Sequence, residues 1–243
     1  MTFSSIKSRL TNDFPSRVKS LLAKTLHIKF WNSFATEDDA TRDPSYNLAP
    51  IVGAIIGLVL SFVTILGRLV FTYRVFATIV AFICYLFFGF ANSLYGFGLT
   101  IGESDKVGKL NKFGTVAITL AIILWCSFVT SMRPSRLSLS FMSAMAMSRF
   151  SACLVAYIKD TFAKRNESND LSFDLIDLVV ALLCVTPWLV LNLDRCLPAL
   201  AIAVVCAMCV TGIAKRSEHG ITERAMCFSI VVTEISTLLI WLV

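Results

Sequence analysis

Long apolar segments separated by short polar loops dominate the chain from residue 48 onward. Apolar segments of about 18 or more residues can cross a bilayer as helices, since about 20 residues rising 1.5 Å each span its hydrocarbon core. Seven segments fit this pattern, the second and sixth being short: Leu48–Leu66, Val75–Ala91, Gly114–Met132, Leu137–Ile158, Leu175–Leu193, Leu197–Ala214 and Ala225–Val243. The pattern predicts an all-α, polytopic membrane helical bundle with about seven transmembrane helices.

The first 47 residues have a different pattern. Apolar residues recur there at intervals of three and four, among basic ones: Ile6, Leu10, Phe14, Val18 and Leu21. This spacing favours a helix lying in the plane of the membrane surface, and Pro15 predicts a kink within it. Residues 31–47 are polar and turn-rich. We therefore divide the chain into an N-terminal segment, residues 1–47, and one membrane domain, residues 48–243.

Composition and charge agree with a membrane location and predict an orientation. The 243 residues are 56% hydrophobic and only 16% charged, which is too apolar for an ordinary soluble domain. Segments on the N-terminal side of the membrane carry 16 of the 22 Lys and Arg residues, and those on the other side carry five. Because basic residues are retained in the cytoplasm, the N-terminal segment is expected to be cytoplasmic. The net charge of +6 indicates contact with membrane lipid rather than with nucleic acid.

Three charged residues fall within the predicted spans: Arg149 and Glu234 well inside, and Asp177 close to one end. A charge within a span is costly and usually faces the bundle interior or water, where it finds a partner. For Arg149 two interpretations stay open, a binding or ion-pair role and snorkelling of its side chain to the cytoplasmic edge. Asp177 lies near a span end and is expected at the interface without a functional role. The eight cysteines form no Cys/His cluster, and the one CxxC spacing, Cys206 to Cys209, lies inside a predicted span, so neither disulfides nor a zinc site are predicted.

One stretch, residues 88–117, leaves an apolar segment, crosses a loop with glycines and lysines, and enters the next apolar segment. It reads FGFANSLYGFGLTIGESDKVGKLNKFGTVA. Four further fragments accompany it: PIVGAIIG from residue 50, AMSR from residue 146, HGITER from residue 219 and TE at residues 233–234. In order and spacing, over roughly residues 30–243, these motifs resemble the cobalamin synthases, the adenosylcobinamide-GDP ribazoletransferases. That family typically reads DGLADTxDG and KDSRIGTFGVVA, with PLVGLLLG, ALSR, GGVTGD and TE elsewhere.

The resemblance implies a magnesium-dependent transferase of the bacterial inner membrane. Such an enzyme joins adenosylcobinamide-GDP and α-ribazole to give adenosylcobalamin and GMP, the last step of the cobalamin nucleotide loop. Its aspartates would hold Mg²⁺, but the corresponding positions here are occupied by other residues, so the metal site is not intact: Phe88, Asn92, Tyr95 and Arg224. By resemblance, the catalytic candidates are Asn92, Arg149 and Glu234. The substrate-binding candidates are Lys106, Lys109, Lys112 and Thr222.

These residues leave two hypotheses open. The chain is either an enzyme with an altered site, or a catalytically impaired or inactive relative that retains a membrane binding or assembly role. The lysines of the 106–112 loop could bind a phosphate as point charges, or they could simply be the basic residues that any cytoplasmic loop carries. A transporter has less support, because no charged relay runs through successive spans.

Overall fold

The structure is a computed structural model that describes residues 46–102, 110–162, 175–216 and 223–243, together with residues 15, 16, 18 and 21. A short 3₁₀ turn, Tyr46–Leu48, precedes eight helices. They are α1 (Ala49–Val70), α2 (Arg74–Tyr85), α3 (Ala91–Ile101), α4 (Lys112–Ser131), α5 (Pro134–Phe162), α6 (Leu175–Leu191), α7 (Leu193–Arg216) and α8 (Glu223–Leu242). These described parts of the chain contain no strand, and the predicted all-α membrane bundle is confirmed.

Six helical stretches in the described residues are long and apolar enough to cross a membrane. The α2–α3 stretch counts as one of them, Arg74–Ile101, with 28 residues. The fifth predicted span, Leu175–Leu193, corresponds to α6, which is apolar but has only 17 residues. Since 17 residues rise about 26 Å and the hydrocarbon core is about 30 Å thick, α6 is slightly short for a perpendicular span. The predicted number of seven is therefore close to what the structure contains.

Sequential spans alternate in direction, α2 and α3 together forming one span. Gly67 of α1 lies against Ala77 of α2. Gly98 of α3 similarly lies against Gly114 of α4. The bundle therefore has two ends. The basic end carries the first residues of α1, α4, α6 and α8 and the last residues of α3, α5 and α7. The opposite end carries the first residues of α2, α5 and α7 and the last residues of α1, α4, α6 and α8.

Helix α5 is the central element of the bundle and packs against α1, α6, α7 and α8. Its contact with α1 depends on Gly53 and Gly57, a GxxxG pair. A Cβ added at Gly57 would lie 2.6 Å from the carbonyl oxygen of Phe141, so glycine is what allows the two backbones to approach. Small residues at this spacing commonly form close helix contacts in membranes.

The second span is broken at mid-length, between α2 and α3. Residues Leu86–Phe90 form a π-type turn in which Gly89 has a φ of 87°, a left-handed conformation that favours glycine. The sequence-based span ended at Ala91, but the helix resumes beyond the break and continues to Ile101. Residues five apart lie about 140° apart around a regular helix. The wide turn instead brings Phe90 over Tyr85, with ring centroids 4.1 Å apart.

The start of α6 is tied to the start of α1. Asn47 Nδ2 donates a 2.8 Å hydrogen bond to Oδ1 of Asp177, and both side chains are buried. Asp177 therefore lies near a helix end, as expected, but it is buried and bonded to the Tyr46–Leu48 turn. Most of the N-terminal segment lies outside the described residues, including most of the predicted in-plane helix. Of its described residues, Leu21 is buried and belongs to the core of the bundle.

Candidate functional site

Arg149 of α5 and Glu234 of α8 meet in the interior of the bundle. Arg149 Nη1 lies 3.6 Å from Glu234 Oε2, and the side chains are 13% and 0% exposed. Neither charge faces lipid, as expected from the cost of a bare charge in the hydrocarbon layer. For Arg149 the structure therefore supports an ion pair and not snorkelling to the edge.

Two aromatic side chains complete the surroundings of the carboxylate. Tyr85 Oη of α2 donates to Glu234 Oε2 over 2.6 Å. Trp125 Nε1 of α4 donates to Glu234 Oε1 over 2.8 Å. Both oxygens of Glu234 therefore accept a hydrogen bond, and bonds to an ionised acceptor are about twice as strong as neutral ones. The cluster connects four helices, α2, α4, α5 and α8.

The guanidinium group of Arg149 has several further partners. Its Nη1 donates to Ser148 Oγ at 3.1 Å and to Met145 Sδ at 3.3 Å. Both Nη1 and Nη2 lie 3.3 Å from Tyr85 Oη, which accepts from Arg149 while donating to Glu234. The phenol of Tyr85 is thus a neutral bridge between the two charges.

Aromatic rings enclose this cluster. Tyr85 stacks on Trp125, with centroids 5.8 Å apart, as well as on Phe90. Phe82 and Phe141 pack against Trp125 at 5.2 and 5.7 Å. Rings of this size displace water, and the low local dielectric strengthens the interaction between Arg149 and Glu234. The break at Gly89 contributes directly, because it brings Phe90 onto the Tyr85 ring.

Gly53 sets the position of Arg149 from the side of α1. A Cβ at this residue would lie 2.7 Å from Arg149 Cδ and closer still to the backbone oxygen of Met145. Any side chain at Gly53 would therefore displace α1 from α5 or push the arginine away from Glu234. Gly53 belongs to the PIVGAIIG motif and Arg149 to the AMSR motif. Residues of these two motifs are therefore in direct contact.

The remaining catalytic candidate, Asn92, lies apart from the ion pair. It is exposed on α3 together with Tyr95, and Phe88 is half-buried at the helix break. Lys112 is exposed at the first position of α4. Lys106, Lys109, Thr222 and the side chain of Arg224 lie outside the described residues. The structure thus joins Arg149 with Glu234 and leaves Asn92 on a different surface.

The described motif residues do not offer the ligands that Mg²⁺ requires. Magnesium prefers carboxylate oxygens in octahedral geometry, whereas the motif positions supply the Asn92 amide, the Tyr95 phenol and the Phe88 ring. Across the part of the chain that the structure describes, no three His, Cys, Asp or Glu side chains are grouped so that they could hold a metal ion.

Sequence reasoning did not identify Tyr85 and Trp125 as members of the site. A signal existed, since each is an aromatic residue with a polar tip in the middle of a predicted span, where a buried N–H or O–H usually needs an acceptor. The sequence does not reveal which helix faces supply that acceptor.

Neither protein-family models, curated proteins nor solved structures give a significant match to this chain. The resemblance to the cobalamin synthases therefore stays a prediction that rests on the motifs alone.

Proposed function

We propose that this protein is a membrane-embedded relative of the cobalamin synthases that has lost magnesium-dependent transfer and retains a binding or assembly role. The proposal depends on one observation: the charges of Arg149 and Glu234 neutralise each other inside the bundle. Each is bonded to the other or to Tyr85 and Trp125 inside the core. A carboxylate enclosed in this way stabilises the bundle and is poorly placed to meet a water-soluble nucleotide.

The chemistry of phosphoryl transfer supports the same proposal. Such a reaction needs positioned groups and cations that neutralise the charge spreading over the phosphate oxygens. In the family those cations depend on aspartates, at positions where this chain has Phe88, Asn92 and Tyr95. An amide oxygen from Asn92 would be one neutral ligand in place of three anionic ones. A pseudoenzyme with an intact helical frame accounts for this pattern.

One observation favours the alternative, an active ribazoletransferase with an altered site. Asn92 and Tyr95, three residues apart on α3, are both exposed, and Lys112 is exposed at the start of α4. Helices α3 and α4 meet at the basic end of the bundle. A substrate that brings its own phosphates and Mg²⁺ could use such a surface. The substrates would then be adenosylcobinamide-GDP and α-ribazole.

We expect the purified chain to show little or no formation of cobalamin from adenosylcobinamide-GDP, α-ribazole and Mg²⁺. The measurement is product formation over time, with a relative that carries all the motif aspartates as the positive control. Asn92→Asp and the triple change Phe88→Asp, Asn92→Asp, Tyr95→Asp are the informative variants. Carboxylates at these three positions are expected to raise turnover and magnesium affinity together.

The alternative makes the opposite prediction for one further variant. Robust turnover by the unchanged protein, abolished by Asn92→Ala, would overturn the proposed loss of catalysis. It would also establish that a single amide, with the phosphates of the substrate, suffices to hold the ion. Because Asn92 is exposed, its replacement by alanine is not expected to disturb the core.

The proposal includes an orientation in the bacterial inner membrane with the basic end in the cytoplasm. It is supported by the division of Lys and Arg residues, 16 on that side and five on the other. Lys109 in intact cells is expected to resist an amine reagent that cannot cross the membrane and to react after the cells are opened. Labelling of Lys109 from outside would contradict this orientation.

A further inference from the structure

The opposite end of the bundle contains a polar cavity that the proposed function does not use. It has a volume of about 200 Å³ and lies where the end of α4, the start of α5 and the end of α8 converge. It is lined by Ser131, Met132, Arg133, Arg136, Trp241, Leu242 and Val243. Since a water molecule takes up about 30 Å³ in the liquid, the cavity has room for a ligand of several heavy atoms.

Arginines at this end of the bundle fall into two groups. Arg68 and Arg195 are used within the fold, because they donate to backbone oxygens at helix ends: Arg68 to Met132 over 2.8 Å and Arg195 to Trp241 over 2.7 Å. Arg133 and Arg136, by contrast, have no side-chain hydrogen bond or ion pair with any described residue. Two guanidinium groups thus line one cavity without an acidic partner in the described part of the chain.

Trp241 forms part of the cavity wall. The residue is only 3% exposed, and the guanidinium carbon of Arg195 lies 5.2 Å from its ring centroid. Its indole N–H is buried without an acceptor among the described residues, and the nitrogen has essentially no accessible surface. The donors that the cavity offers to a ligand are therefore those of the two arginines.

The helix geometry adds to the positive potential of the cavity. Arg133 and Arg136 flank the first residues of α5, which is 29 residues long. The N-terminus of a helix carries a partial positive charge that favours an anion, although Pro134 has no N–H and the N–H of Arg136 already donates to the Arg133 carbonyl oxygen. Guanidinium groups bind phosphate and carboxylate oxygens in a bidentate manner. The two guanidinium groups and the helix dipole therefore act on one cavity and favour a ligand with negative charge.

We propose that this cavity is a binding site for a phosphate group, held by Arg133 and Arg136. The transmembrane helices end here, so the cavity lies at the level of the lipid headgroups, the layer where tryptophan is also enriched. The phosphate of an anionic lipid is the ligand that this position favours. A free phosphate group in the adjoining water offers the same chemistry, and the experiment must distinguish the two.

The test is calorimetric titration of the full chain, purified in a neutral detergent, with three probes. They are a short-chain phosphatidylglycerol, the matching phosphatidylcholine and inorganic phosphate. We expect saturable binding of phosphatidylglycerol and weaker binding of phosphatidylcholine, whose choline cancels the phosphate charge. The double variant Arg133→Gln, Arg136→Gln should raise the Kd of phosphatidylglycerol about tenfold or more, because it removes two charge-assisted contacts.

Two further variants keep the result interpretable. Arg74→Gln removes an exposed arginine from the same end that does not line the cavity, and it should change the Kd less than twofold. Trp241→Phe keeps a ring beneath Arg195 and removes only an N–H that does not reach the cavity, so it too should change the Kd less than twofold. Neither Arg133 nor Arg136 forms a side-chain bond in the described structure, so the double variant should fold normally, as gel filtration and circular dichroism can check.

The outcomes separate the ligand sources. Binding of phosphatidylglycerol that depends on Arg133 and Arg136, without binding of inorganic phosphate, assigns a lipid headgroup. Binding of inorganic phosphate with the same dependence assigns a free phosphate group. If the double variant binds phosphatidylglycerol and inorganic phosphate as the unchanged protein does, or if neither binds to either protein, the proposed site is wrong.

Discussion

Replacement of Arg149 by methionine is expected to lower the free energy of unfolding by about 3–5 kcal/mol, because it leaves Glu234 as an unpaired buried charge. Methionine keeps the aliphatic length of the side chain, so the loss is electrostatic rather than steric. Glu234 would retain its bonds from Tyr85 and Trp125, which cannot neutralise it. The measurement is reversible unfolding in mixed micelles, followed by circular dichroism.

A double-mutant cycle separates the ion pair from simple packing. Glu234→Gln alone should be destabilising, since Arg149 then lacks its counter-ion, whereas the pair of changes Arg149→Met and Glu234→Gln should cost less than the sum of the two. Arg74→Gln, at an exposed position near the end of the bundle, serves as the control and should be neutral. If Arg149→Met had no effect on unfolding, or if the two changes were additive, the ion pair would not be a structural element of the core.

Gly53→Ala is expected to be the most damaging of the conservative changes in the membrane domain. Its Cβ would lie within van der Waals radii of the Met145 carbonyl oxygen and 2.7 Å from Arg149 Cδ. Because a backbone atom cannot move aside as a flexible side chain can, α1 must separate from α5. Overpacking of this kind costs about 1–3 kcal/mol. The loss of alignment between Arg149 and Glu234 adds to that cost.

The matched control for this change is Gly212→Ala in α7. Nothing lies within 4 Å of the Cβ that this substitution would add. Alanine is favoured over glycine in a helix interior by about 0.8–1.0 kcal/mol, so the control should be neutral or slightly stabilising. Equal effects of the two substitutions on unfolding would contradict the close approach of α1 and α5. Thermal unfolding of the two variants side by side is sufficient to decide this.

According to these predictions, the ion pair between Arg149 and Glu234 stabilises the bundle, which affects how tests of activity must be interpreted. If both charges stabilise the bundle, then sequence motifs such as AMSR and TE can be retained in a chain without catalytic activity. Loss of transferase activity in an Arg149 variant would by itself be uninformative, because such a variant is expected to be destabilised. Asn92 and Tyr95, on an exposed surface of α3, are the better positions for testing activity.

The sequence by itself determined the fold class. Apolar segments of sufficient length have one stable arrangement in a bilayer, since only a helix satisfies its backbone hydrogen bonds within one segment. The same cost argument indicated that Glu234 faces the bundle interior, whereas for Arg149 it left snorkelling to the cytoplasmic edge open. The length of each apolar segment also predicted most span positions to within a few residues. These properties depend on local composition, which a single sequence contains in full.

Only the tertiary structure decided which side chains meet. Tyr85 and Trp125 became partners of Glu234 because α2 and α4 turn those particular faces inward, which depends on the packing of all the helices together. The break at Gly89 could not be read from the sequence either, since glycine is also common in unbroken membrane helices. Likewise, the burial of Asp177 required the Tyr46–Leu48 turn to cover it. Apolar patterning determines that a helix crosses the membrane, but the contacts between distant segments determine its rotation and its partners.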